Sequence, residues 1–201
     1  FEDVMVEVQV TDERGKIDIN SADEATLLRL LRGNGMEEEP ATYLAAAIMD
    51  WSDEDEMERA NGAEDATYAS AGLNIGPGHR SIIMIEELLQ GLGMPFDVFN
   101  EIEPGITVFS ESGEAEPAYA PKEALMARED MTEEDALNFI EQRQSQDATD
   151  GVGTELPNGE MAMARGRGLT YSVLAKATLP NGVWDQVEAT VRLGASTDGR
   201  P

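Results

Sequence analysis

Cysteine is absent from these 201 residues, and histidine occurs once, as His79. The first absence removes disulfide frameworks and thiolate metal sites. The second leaves a histidine-dependent triad one base, and leaves zinc few of its usual ligands. Positive charge is scarce too: Lys and Arg number 14 against 41 Asp and Glu, a formal net charge of −27. Phosphate binding needs clustered cations, so nucleic acid is excluded as a partner, and an anionic membrane surface would repel the chain. No apolar run approaches the length of a transmembrane helix, and no signal peptide is visible. The apolar fraction of 41% is still enough for a real core.

The chain begins and ends in strand patterns. Valines at 4, 6, 8 and 10 alternate with mostly polar residues, the period of a half-buried strand. Asp12–Gly15 reads as a turn and Lys16–Ile19 as a short second strand. Near the other end, Leu169–Thr178 and Val183–Leu193 flank Leu179-Pro180-Asn181-Gly182, a hairpin signal. Tyr171, Val173, Ala175 and Ala177 share one strand face; Val187, Ala189, Val191 and Leu193 share one face of its partner.

Between them the spacing turns helical. Ser21 and Glu24 have capping-box spacing ahead of Leu27, Leu28, Leu30 and Leu31. Gly33-Asn34-Gly35 stops that helix, and Pro40 opens another through Tyr43, Leu44, Ala47 and Ile48. A third helix is expected near Ser81–Gln90, a short β-like run at Ile106–Phe109, and helices near Pro121–Arg128 and Thr132–Gln144. The last of these has Thr132 at its cap and Ala136, Leu137 and Ile140 on one face. Asp147–Gly159 reads as loop. Strands, then helices, then strands describe an α+β protein: one antiparallel sheet from the two ends, with a large helical domain inserted. The expected division is a sheet domain of 1–19 and 155–201 around a helical insert of 20–154, itself divisible at about residue 100.

The most distinctive stretch follows the second helix. Asp50, Asp53, Asp55, Glu64 and Asp65 flank a short loop. Carboxylates so close repel one another unless a cation sits among them, and clustered oxygens suit a hard cation such as Ca²⁺. The other reading is a solvated acidic loop. An EF-hand is ruled out, because Met57 stands where an oxygen ligand is needed and Glu58 where glycine is. Trp51 reads as a core anchor or as a partner-facing aromatic, and Tyr68 carries the same ambiguity. His79, in a Gly-Pro-Gly loop beside Arg80, reads as a surface histidine. The ten methionines read as gap-fillers. Arg165 and Arg167 form a small cationic spot at a strand lead-in. The segment INSADEATLLRLLRGNGM has the outline of a helix-hairpin-helix, but Met36-Glu37-Glu38-Glu39 after its glycine turn repels phosphate. The shape is kept and the DNA function rejected.

The strings IMDWSDEDE and NGAEDATY, with GKIDINSADEATLLRLL upstream and GPGHRSIIMIEELLQGLGM downstream, resemble the K-type minor pseudopilins of the bacterial type II secretion system. The resemblance is strong over 15–94, looser over 105–144, rests on strand pattern over 168–194, and departs around His79 and Ile82. It implies a pilin-like sheet carrying a helical (SAM-like, helix-hairpin-helix-like) insert. It implies a place at the pseudopilus tip with minor pseudopilins of the I and J types, secreted proteins as further contacts, and no enzymatic activity. It also implies a periplasmic location, with an inner-membrane anchor helix that is absent from this chain and would precede Phe1. A structural Ca²⁺ would be held by Asp53, Asp55, Glu64 and Asp65, with Asp50 a fifth ligand or a cap of the helix end. The other function readings are a calcium-dependent cell-surface binding module and a carboxylate hydrolase.

Overall fold

The structure is a computed structural model; it describes residues 4–129, 131–145, 153–164, 166 and 168–194. Three strands form its main sheet: β1 (Met5–Asp12), β6 (Thr170–Thr178) and β7 (Trp184–Arg192), in the order β1-β6-β7 with both pairings antiparallel. Val8 pairs with Ala175, and Ala175 with Val187. The alternation read at both ends therefore converges on one face: Val6, Val8 and Val10, then Val173, Ala175 and Ala177, then Val187, Ala189 and Val191. The hairpin turn has Gly182 at φ 84°, a left-handed conformation that glycine tolerates without cost.

The helical body lies between β1 and β6 in the chain. Helix α1 (Glu24–Gly33) buries Leu27, Leu30 and Leu31 against α2 (Glu38–Ser52), which contributes Ala41, Leu44, Ala45, Ala47, Ile48 and Trp51. Small residues on α2 let the two helices approach closely. The body continues through α3 (Asp65–Ser70), a 3-10 turn (Ile85–Gln90), α4 (Phe96–Ile102), α5 (Lys122–Leu125) and α6 (Glu133–Ser145). Two short ladders brace it: β2 (Ile17–Asp18) parallel to β3 (Ile106–Thr107), and β4 (Thr154–Glu155) antiparallel to β5 (Met161–Ala162).

Several expectations are corrected. Ser21 and Glu24 form no capping box. Asp18 holds the preceding residues in a turn, accepting from the amides of Ser21 and Ala22 at its carbonyl. The cap is Asp23, whose carboxylate accepts from Thr26 N at 2.7 Å. The helix expected over Ser81–Gln90 shrinks to its last six residues. Asn20 bonds both backbone groups of Ile82, and the Glu87 carboxylate accepts from Ile83 N, so these groups are lost to a helical ladder. On α6, Leu137 points outward at 52% exposure, while Phe139 is buried beside Ala136. The short strand β2 joins β3 in the body and not the main sheet. Helices α3 and α4 were not anticipated. Thr132 does cap α6, its hydroxyl accepting from Asp135 N. Residues 147–152 of the expected loop, and Arg165 and Arg167, lie outside the described residues.

Candidate functional site

Three segments meet at the C-terminal end of α2. Asp50, in the last turn, is fully buried. Its Oδ2 accepts from Ala63 N at 2.9 Å and Arg59 N at 3.2 Å, and its Oδ1 takes the Arg59 guanidinium at 2.9 Å. A Cβ on Gly62 would fall 1.9 Å from Asp50 Oδ2, so only glycine lets the loop close onto this carboxylate. The sequence reading offered Asp50 as a fifth ligand or a cap of the helix end; both its oxygens hold the 59–63 loop.

Asp53 is the C-cap of α2 and gives Oδ2 to Arg59, which thus bridges two carboxylates. These bonds hold the Arg59 pKa above its ordinary value, the Asp53 contact contributing most. Its other oxygen, Oδ1, is buried without a hydrogen-bond partner. Glu64 starts α3, its carbonyl accepting from Thr67 N and Tyr68 N. Its side chain turns inward: Glu64 is 5% exposed, and neither carboxylate oxygen has a partner. Burial first, then the nearby Asp50, pushes its pKa up; His79 opposes this, and Asp53 and Asp65 add to it.

The third segment is the Gly-Pro-Gly loop. Gly78 N donates to the carbonyl of Trp51 at 3.0 Å, docking the loop on the end of α2. That carries His79 into the acidic group, which corrects its reading as a surface residue. One ligand atom each from Asp53, Glu64 and His79 lies within 4.8 Å of the other two. Of the remaining expected ligands, Asp55 Oδ1 accepts from Met57 N at 2.8 Å. Asp65 is 72% exposed, with one oxygen 3.9 Å from His79 Nε2. Below the cluster, Trp51 and Tyr68 pack at 5.8 Å between ring centroids, both buried. Trp51 is the core anchor of the first reading, and Tyr68 resolves the same way, its hydroxyl accepting from Leu92 N.

The unpartnered oxygens of Asp53 and Glu64 are what a divalent cation would satisfy, and the donor set fits one. Arg59 and His79 were missed as members of this group. For Arg59 a signal existed: it is the only cation between Asp50 and Tyr68. For His79 none did, because docking of the 76–79 loop on α2 is a tertiary event.

An antiparallel sheet built from strands near both chain ends, interrupted by a helical body whose second helix ends in an acidic cluster, defines an α+β protein with its helices inserted between the strands of its sheet. Residues 8–111 match the family model described as Type II secretion system (T2SS), protein K, and the chain belongs to that family. A curated relative, Type II secretion system protein K of Pectobacterium carotovorum subsp. carotovorum, is 29% identical over 111 residues. That match takes in 48% of this chain and 34% of the relative, so the chain spans about a third of that protein's length. Among solved structures, a chain of the GspK-GspI-GspJ complex from the enterotoxigenic Escherichia coli Type 2 Secretion System superposes with a TM-score of 0.66 at 13% identity, covering 96% of this chain and 77% of that one. At that identity the likeness is one of fold. Among the described residues no helix is long and apolar enough to cross a membrane.

Proposed function

We propose that this chain is the periplasmic part of a minor pseudopilin at the tip of the type II secretion pseudopilus. It assembles with I-type and J-type minor pseudopilins and takes part in moving folded proteins across the outer membrane, without catalysing a reaction. Membrane contact comes only through an apolar anchor helix outside these residues, held in the inner membrane. The observation that carries this reading is the apolar face of the main sheet. Val8 and Val187 are 61% and 65% exposed in a protein this acidic. A face lined by valines and alanines on three adjacent strands is suited to a long apolar helix and to neighbouring subunits. A large helical body at the filament end would not have to be buried within the shaft, which suits a terminal position.

The sheet domain and the insert are proposed as separate units. Ile17, Ile19, Leu156 and Ala162 all pack in the core of the helical body. This supports moving the boundaries from 19/20 and 154/155 to about Gly15 and Gly168.

The acidic cluster is proposed to hold a structural Ca²⁺ that ties the end of α2 to the start of α3, with Asp53 and Glu64 as its inner ligands and Asp55 and Asp65 nearby. The unpartnered buried oxygens support this. Calcium at a hundredfold excess over Kd would stabilise the fold by about 2.7 kcal/mol. Asp53→Asn should remove that gain. A melting curve indifferent to calcium and chelator would leave a solvated acidic loop.

The assembly is tested by mixing the chain, anchor helix restored, with its I-type and J-type counterparts on a sizing column at micromolar concentration. One shared peak is expected. Three independent peaks would count against the tip complex.

A further inference from the structure

The main sheet has a second face, opposite the valines. Gln9, Leu174 and Glu188 stand in register there across the three strands. Between this face and the helical body lies a cleft of about 750 Å³, within the size range of small-ligand sites. Its other wall is built by the 14–16 turn, the 117–121 loop and the end of α6. The loop is seated on the turn: Glu116 N donates to the carbonyl of Arg14 at 2.8 Å, and a Cβ on Gly15 would fall 2.4 Å from the carbonyl oxygen of Tyr119. From α6, Arg143 holds the same loop, its Nη1 donating to the carbonyls of Pro117 at 2.6 Å and Ala120 at 2.9 Å.

Arg14, Lys16 and Arg143 bring positive charge to the cleft. Arg14 is paired with Asp12 at 2.7 Å and Lys16 with Glu13 at 3.0 Å. Arg143 has no carboxylate partner among the described residues; burial alone pushes its pKa down, and no nearby acid opposes it. Both its hydrogen bonds come from Nη1. Among the described residues Nε and Nη2 have no partner, and neither is sealed from solvent. The Nε–Nη2 edge is a two-donor fork that matches a carboxylate bidentately. A half-buried guanidinium that has lost water without gaining an anion carries a cost that an incoming carboxylate relieves. The rest of the lining sets the other features of the ligand. Val10, Leu174, Pro104 and Pro121 are apolar, and Tyr119 and Tyr171 add aromatic surface. Asp12 and Glu188 in the same lining, and the net charge of −27, disfavour a run of acids.

We propose that this cleft receives a single carboxylate carried on an apolar peptide segment of another polypeptide, with the Nε–Nη2 edge of Arg143 as its bidentate donor and Tyr119 and Tyr171 as walls for the flanking side chains. The cleft is separate from the valine face and from the acidic cluster, so it stands or falls apart from the assembly and calcium readings.

The test follows the Nε signal of Arg143 in isotopically labelled protein, assigned by through-bond correlation to its own backbone amide. The probes are acetyl-Val-Tyr-Leu as the free acid and as the amide, and acetyl-Val-Asp-Leu amide with its Asn counterpart. One of the two carboxylate peptides should shift Arg143 Nε saturably, and its uncharged counterpart should bind at least about tenfold more weakly. Arg143→Lys, which keeps the charge and loses the fork, should weaken the carboxylate peptide by a similar factor. Preference for the free acid assigns the carboxylate to a chain terminus; preference for the Asp peptide assigns it to a side chain. Equal shifts from charged and uncharged peptides, or no shift at millimolar peptide, overturn the proposal and leave Arg143 as a clamp on the 117–120 loop. A shift of Arg143 Nε in the peptide-free protein on replacing Asp147→Asn and Asp150→Asn would mean that this chain supplies the carboxylate, and overturns it too. The peptide titration is read on the unmutated protein, so a folding defect in Arg143→Lys does not blunt it.

Discussion

The helical body buries Leu27, Leu30, Leu31, Leu44, Ile102, Leu125 and Phe139 around one core, while β7 of the main sheet is exposed at every position and β1 along most of its length. Both regions obey their local patterns. The body has a second layer for each apolar helix face. The sheet has an apolar face with nothing of comparable extent laid over it among the described residues. A strand period of two specifies which residues share a face, and leaves open whether the covering layer belongs to the same chain. The difference fits the proposal that the sheet is finished from outside, by an anchor helix and neighbouring subunits.

Substitutions should separate the two regions sharply. The largest effect is expected in the body: Leu125→Ala empties a fully buried position and should cost about 2–5 kcal/mol in urea denaturation. Next comes Asp50→Ala. It removes the buried acceptor of Arg59 and Ala63 N, and should cost about 3 kcal/mol, the low end for a broken buried pair, because Arg59 is partly exposed and keeps Asp53. Glu87→Ala should cost about 2 kcal/mol at neutral pH. Burial raises the Glu87 pKa, but hydrogen bonds from Ile83 N, Arg80 and Met84 N outweigh it and hold the net value below the ordinary range. A depressed carboxyl stabilises fully above its unfolded pKa and loses that contribution as pH falls through the folded value. The variant should therefore lose part of the acid limb of the pH–stability curve. Smallest is Val8→Ala in the sheet, expected below about 1 kcal/mol. If Val8→Ala matched Leu125→Ala in the isolated chain, the contrast between the regions would collapse.

Much of this contrast was legible beforehand. The valine alternation at 4–10, the Asn181-Gly182 turn and the helical spacing of α1, α2 and α6 each follow from a local period. What escaped the sequence depended on side chains reaching across it. Asn20 bracketing Ile82 and Glu87 capturing Ile83 N undid an expected helix. The site divides in the same way. The nearness of Asp53 to Glu64 was legible as clustered charge, while the engagement of Asp50 by Arg59 and the entry of His79 depend on loops closing onto α2. The pairing of Ile17 with Ile106, far apart in the chain, leaves no local trace either.

Hydrogen exchange, read strand by strand with and without the assembly, tests most directly the claim that the sheet is completed from outside. In the isolated chain the amides of β1 and β7 should exchange far faster than those of α1 and α2. They should gain strong protection when the anchor helix and the I-type and J-type subunits are present, while α1 and α2 change little. Sheet amides already as protected as α1 and α2 in the isolated chain, and unaltered by the partners, would contradict the account.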